Sequence, residues 1–305
     1  MMTGIYLEPG KSIFSKRSGN YYFIAKYLGQ GGNAIAFLVQ CTKGTYKGLS
    51  FVLKLQYNLS TETRRERFAR EIAFLREEQH PAILQHFDEG EYQLPDGRIF
   101  PFVVTSYYPK TLADVIKQGN LNFSSKVSYA CQLLSALNLL QSKKVIHRDI
   151  KPNNIFVNGS NVVLGDFGLI KALDTDEQVS DTDDDIEMIN ETAFHAGGYA
   201  AMPYFYRTPE LVSYAKKEDV LHIESDIFQL GLVFAELFTG QNPLVPCKDI
   251  RQTVCLNRIG RITDTEDGGL VFRLLQSMLE LDYKKRAKID DLLNGFNSLY
   301  KKTVV

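Results

Sequence analysis

The stretch that most restricts how this chain can fold is SDIFQLGLVFAELFTG, residues 225–240. It is apolar on nearly every face, and a helix of that kind is usually buried all round. Other helices therefore have to pack about it, and Gly240 is placed to close it as a C-cap. The neighbouring sequence supplies such helices. SSKVSYACQLLSALNLLQSKK carries Val127, Leu133, Leu134, Leu137 and Leu140 on one side at helical spacing. GGLVFRLLQSMLELD and IDDLLNGFNSLYKK read as later amphipathic helices. With 44% hydrophobic residues over 305 positions, the chain is long enough to bury a sizeable core.

The first hundred residues have a different character. Residues 1–20 read as a short polar extension. YYFIAKYLGQGG and AIAFLVQC are two apolar runs around a Gly-Gly turn, a hairpin signal, and LSFVLKLQY is a third strand. Between Ser60 and His80 the period becomes helical, with Phe68, Ile72 and Leu75 on one face. Ser60 or Thr61 serves as N-cap and Pro81 as the stop. AILQHFDEGEYQL, DGRIF and PFVVTSYY complete a small antiparallel sheet. The pattern is an α+β chain, a strand-rich part of roughly 100 residues followed by a helix-rich part of roughly 200, expected as two lobes with a cleft between them.

Composition removes several classes. The chain has 35 Lys+Arg against 36 Asp+Glu, so there is no basic surplus of the kind a nucleic-acid binder shows. No repeats suggest a rod, no run of about 18 apolar residues suggests a membrane span, and the first ten residues are too mixed for a signal peptide. Cys41, Cys131, Cys247 and Cys255 lie far apart with no Cys-x-x-Cys pair, which reads as four reduced thiols in a soluble cytoplasmic protein.

Four local patterns carry chemistry. Leu28-Gly29-Gln30-Gly31-Gly32-Asn33-Ala34 lies between two strands, and it is either a plain hairpin turn or a loop whose backbone N–H groups approach phosphate oxygens. Lys54 sits inside an apolar strand, where it either snorkels to solvent or needs an anionic partner such as Glu71 on the following helix. His147-Arg148-Asp149-Ile150-Lys151-Pro152-Asn153-Asn154 offers a carboxylate, a cation two residues on and an amide five residues on. That suits a loop in which Asp149 accepts a hydroxyl proton, Lys151 neutralises a transferred phosphoryl group and Asn154 binds a divalent metal. Asp166-Phe167-Gly168 follows Asn154 by 12 residues, with a hairpin's worth of strand between.

With these motifs in order, followed by Thr208-Pro209-Glu210, the chain resembles the eukaryotic-like (Hanks-type) serine/threonine protein kinases from about Tyr21 to about Lys301. Asp226 resembles the buried anchor of that family's central helix, and Arg286 the arginine that pairs with Glu210. The resemblance implies a bilobal fold, an antiparallel N-lobe (21–106) with one helix and a mainly helical C-lobe (107–301). It implies ATP as cofactor with Mg²⁺ (Mn²⁺ as an alternative), a Lys54–Glu71 ion pair, metal ligands Asn154 and Asp166, and Asp149 acting on the acceptor hydroxyl. Lys151 resembles the serine/threonine-directed form, so protein substrates with Ser or Thr acceptors, and autophosphorylation, are implied. Leu28 to Ala34, Ala36, Val52, Thr105 (or Val104), Ser106, Tyr107, Tyr108 and Phe156 fall where the family holds nucleotide.

There are departures. Ala34 replaces the usual third glycine, Ala36 a valine, Val52 the alanine before the lysine, and Pro203 a threonine that would bond Asp149 and Lys151. They leave room for a nucleotide-binding pseudokinase, a regulatory or scaffolding module without transfer. A small-molecule phosphotransferase of similar fold is a further alternative. The segment 172–206 reads as an acidic activation-loop insert, with nine Asp or Glu and no Lys or Arg. It is a solvated insert, a target of phosphorylation at Thr175, Ser180, Thr182 or Thr192 that pairs with Arg148, or a phosphate mimic. The remaining residues carry 35 basic against 27 acidic side chains, so the near-zero net charge averages a basic body and one acidic loop.

Overall fold

The computed structural model describes residues 7–31, 33–173, 206–247, 249–263 and 265–303. They divide into two compact units, residues 1–107 and 108–305.

The first unit is built on one antiparallel sheet. Its strands are β1 (Ser12–Phe14), β2 (Tyr21–Gln30), β3 (Ala34–Lys43), β4 (Ser50–Gln56), β5 (His86–Gln93) and β6 (Ile99–Ser106), in spatial order β1-β2-β3-β4-β6-β5. Alternation sends Ile24, Phe37, Val39, Leu53, Leu55, Phe102 and Val104 into one core. The single helix α1 (Glu62–Glu77) starts where Thr61 accepts the Arg64 N–H, so Thr61 and not Ser60 is the N-cap. Residues 12–14 are no loose extension. They pair with Tyr21–Phe23, and Ser15, Ser18, Asn20 and Tyr22 all donate to the buried carboxylate of Asp88 on β5. The polar run reads as solvated in the sequence because its partner lies some seventy residues away.

The second unit is mainly helical. The helices are α2 (Leu112–Gln118), α3 (Phe123–Ser142), α4 (Pro209–Ala215), α5 (Glu224–Thr239), α6 (Glu266–Met278) and α7 (Ile289–Thr303). As its composition requires, α5 is buried along almost its whole length, and it ends on Gly240 at φ 78°. A Cβ on Gly231 would lie 2.9 Å from the Cβ of Met278, so glycine there sets how closely α5 approaches α6. Short strands complete the unit. β9 (Ile155–Asn158) and β10 (Asn161–Leu164) form a hairpin flanked by β7 (Lys110–Thr111), and β8 (Val145–Ile146) pairs β11 (Lys171–Ala172). Two helices had sequence signals that periodicity does not catch. For α2 it is the Thr111–Asp114 capping box, and for α4 it is the Thr208 cap followed by Pro209.

Among the described residues no helix is long and apolar enough to cross a membrane, and the four cysteines are free thiols.

Candidate active site

In the first unit the sheet register places the residues. Ala36 pairs Lys54, Lys54 pairs Val103, and Val52 pairs Thr105. Directly opposed residues share a face, so Ala36, Val52, Lys54 and Thr105 line one side of the sheet. Val104 pairs Leu53 and belongs to the core on the other side, so of Thr105 and Val104 it is Thr105 that shares a face with Lys54. Lys54 Nζ lies 3.0 Å from Glu71 Oε1, and that carboxylate on α1 is buried. Burial strengthens the attraction that fixes the lysine's end.

Leu28, Gly29 and Gln30 end β2, and Ala34 begins β3; Gly32 lies outside the described residues. Among the described residues, nothing beyond the chain neighbours comes within 4 Å of a Cβ built on Gly29 or Gly31, and neither has a positive φ. The fold itself does not need glycine there, and the open space suits a group that must approach the backbone closely. Asn33 is turned elsewhere. Its Oδ1 accepts from Arg64 on α1 and from Asn58, so its side chain braces the turn against the helix. Ser106 donates its N–H to Gln85 O at 3.0 Å, ahead of Tyr107 at the end of the unit.

In the second unit the β9–β10 hairpin explains the 12-residue spacing. It returns the chain so that Gly165 N–H donates to Asn154 O at 2.9 Å, bringing Asp166 next to Asn154. Asn154 Nδ2 donates to Asp149 Oδ2 at 2.7 Å and to Asp149 O at 2.9 Å. Lys151 Nζ lies 2.8 Å from the same Oδ2. Burial pushes the Asp149 carboxyl above the usual carboxylate range, Lys151 pulls it down, and Asp166 adds to the upward push. Asn154 and Asp166 are hard oxygen donors beside each other, a pair that suits Mg²⁺ completed by water and phosphate oxygens. Phe156, on β9, pairs Val163 and Thr111.

Arg148 at φ 70° and Asp166 at φ 59° hold backbone conformations that side chains rarely adopt, a cost usually found at functional sites. The Arg148 guanidinium is buried and its Nε donates to Leu169 O. Thr175, Ser180, Thr182, Thr192 and Pro203 lie outside the described residues.

Beneath this loop, Asp226 on α5 accepts the N–H groups of His147 at 2.7 Å and Arg148 at 3.0 Å. His147 packs on Phe167 with ring centroids 4.9 Å apart, and its ring nitrogens face Gly165 O and the Asp149 N–H. Those partners satisfy a neutral imidazole. Burial lowers its pKa to about 4, while burial raises that of Asp226 to about 7 against the pull of the two N–H donors. Between pH 4 and 6.5, then, the folded chain holds a proton on Asp226 and the unfolded chain holds one on His147. The two contributions to the pH dependence of stability cancel. His147→Phe removes one of them. The variant's stability is then expected to fall relative to wild type as pH rises through this window, by about 1.4 kcal/mol per pH unit. Urea unfolding at several pH values checks this, and parallel curves for the two proteins would refute it.

Residues missed at the sequence level include Gln229. It sits 3% exposed on α5 with its amide on the loop backbone, and the available signal was a glutamine inside the most apolar helix.

Several known proteins are similar to this chain in sequence. A probable serine/threonine-protein kinase of Clostridium perfringens (strain 13 / Type A) is 26% identical over 76% of this chain and 30% of its own length. The serine/threonine-protein kinase PknB of Mycolicibacterium smegmatis is 31% identical over 59% of this chain and 26% of its own. A probable serine/threonine-protein kinase of Dictyostelium discoideum is 25% identical over 88% of this chain and 15% of its own. The chain thus spans less than a third of the length of each of these relatives. Residues 22–295 match the family described as "Protein kinase domain", and the chain belongs to that family.

Proposed function

We propose that this chain transfers the γ-phosphoryl group of ATP to Ser and Thr hydroxyls of proteins, its own among them. The observation that carries this reading is the Asp149 carboxylate, held by Asn154 at 2.7 Å and Lys151 at 2.8 Å beside Asp166. A carboxylate so fixed has its remaining oxygen available to orient an acceptor hydroxyl and take its proton. Lys151 is placed to meet the charge of the transferred group. Lys54, aimed by Glu71, would pair with the nucleotide's phosphates. The open backbone at Gly29 and Gly31 would receive their oxygens, and Leu28, Gln30, Ala34, Ala36, Val52, Thr105, Ser106, Tyr107 and Phe156 would contact the rest of the nucleotide. Mg²⁺, or Mn²⁺ in its place, would be held by Asn154 and Asp166 and would supply charge neutralisation on the phosphates. Little covalent work is left to the protein, and positioning does most of it.

Incubation with γ-labelled ATP, Mg²⁺ and α-casein tests the reading, with Asp166→Asn as control. Label is expected on Ser and Thr of casein and of the chain itself. Mapping it locates any acceptor among Thr175, Ser180, Thr182 and Thr192, with Arg148 as the proposed pairing partner of a loop phosphate. Wild-type incorporation no greater than that of Asp166→Asn would sink the proposal, and label on tyrosine alone would sink its acceptor class.

A further inference from the structure

Gln229 lies on α5, one helical turn after Asp226 and 3% exposed. A buried primary amide has one acceptor and two donor hydrogens to satisfy. Here all are used on backbone. Oε1 accepts the Ile150 N–H at 2.9 Å, and Nε2 donates to Arg148 O at 3.0 Å and to Tyr206 O at 2.9 Å. The first two contacts bracket Asp149 on both sides. The third reaches Tyr206, the last residue of the acidic segment 172–206. Tyr206 is fixed at its other end as well, since its hydroxyl donates to Glu236, seven residues further along α5. Next to it, the Thr208 and Ser225 hydroxyls hydrogen-bond each other.

We infer that Gln229 is a positioning residue that sets the register between Asp149 and the end of the acidic loop. Among the described residues the Asp226 carboxylate accepts from residues 147 and 148, whereas Gln229 ties both chain segments to one helix. Pro203 has no hydroxyl with which to make the family's usual tie from the loop to Asp149 and Lys151. Gln229 joins the backbone of Arg148 and Ile150 to that of Tyr206. The inference rests on the phosphoryl-transfer reading for its rate measurement but not for its structural one.

Two variants of the full chain test it. Gln229→Leu keeps the volume and removes all three hydrogen bonds. Amide hydrogen exchange is expected to quicken at Ile150 and in residues 206–208 while the interior of α5 stays protected. The kcat for casein is expected to fall about 10- to 100-fold, the scale on which small misplacements act, with the KM for ATP changed less than about twofold. Gln229→Glu keeps the acceptor for Ile150 but sets an oxygen against Arg148 O and Tyr206 O. Exchange should then quicken in residues 206–208 alone, with a smaller loss of kcat. Unchanged exchange at Ile150 in Gln229→Leu, or an unchanged kcat, would overturn the inference. So would uniform loss of protection in both variants, which marks a merely structural role. If wild type transferred no label, the kinase reading would fail, while the exchange pattern would still decide whether Gln229 makes the tie.

Discussion

Asp149→Asn is expected to lower phosphoryl transfer by about 10²- to 10⁴-fold, the range set by removal of a positioned general base. The substitution is nearly isosteric. An amide oxygen at the same place still accepts from Asn154 and Lys151, which now lie 2.7 and 2.8 Å from Oδ2. The loop therefore keeps its shape, held from below by the bonds of Asp226 and Gln229 to residues on either side. What is lost is the negative charge and the basicity. Nucleotide contacts assigned to Lys54 and the glycine turn are untouched, so the KM for ATP should stay within about twofold while kcat collapses. Steady-state kinetics with casein would check the split. A rate within threefold of wild type would show that Asp149 is not the base.

Arg286→Ala is expected to destabilise the chain by about 3–5 kcal/mol, the cost of stranding a buried charge. Arg286 Nη2 lies 2.7 Å from Glu210 Oε1, and the two side chains are 0% and 3% exposed. The guanidinium also donates to the carbonyls of Glu280 and Glu224 and lies over the Phe228 ring at 5.0 Å. Removing it leaves Glu210 charged in the interior and two carbonyls without their donor. Against a stability of about 5–15 kcal/mol for a typical domain, that is a large share. Urea unfolding gives the number. The double variant Arg286→Met with Glu210→Gln should be less damaged than Arg286→Ala, because no charge is then stranded. A single variant as stable as wild type would mean that the pair contributes only geometry.

Much of the second unit was legible in the sequence, because its signals are local. The apolar stretch 225–240 reads as a buried helix, and the 12-residue interval from Asn154 to Asp166 is the length of a tight hairpin with its flanks. The apolar strand alone left Lys54 either snorkelling or paired, and its pairing with Glu71 was legible only as what the kinase resemblance implies. Long-range pairings were less visible. The choice of Thr105 over Val104 depends on the register between β4 and β6, which a one-residue slip would reverse. Residues 12–14 look solvated until β2 is placed beside them and Asp88 beneath. Gln229 is a single polar letter in an apolar run, and its meaning appears only when the backbone of two distant segments converges on it.

The short β1 has a consequence for the sheet as a whole. A strand at the end of a sheet presents unpaired N–H and C=O groups to which a strand of another molecule can add. Here the ladder along Tyr21–Phe23 is taken up by Ser12–Phe14, and Ile24 exchanges bonds with Gly10 and Lys11. The covering strand is itself only three residues long and ends in the Ser15–Asp88 anchor. A chain trimmed to start at Tyr21, where the apolar pattern begins, would expose that part of a ten-residue strand as a template for self-association. With β1 in place, that part of β2 offers no open ladder to which another strand could add.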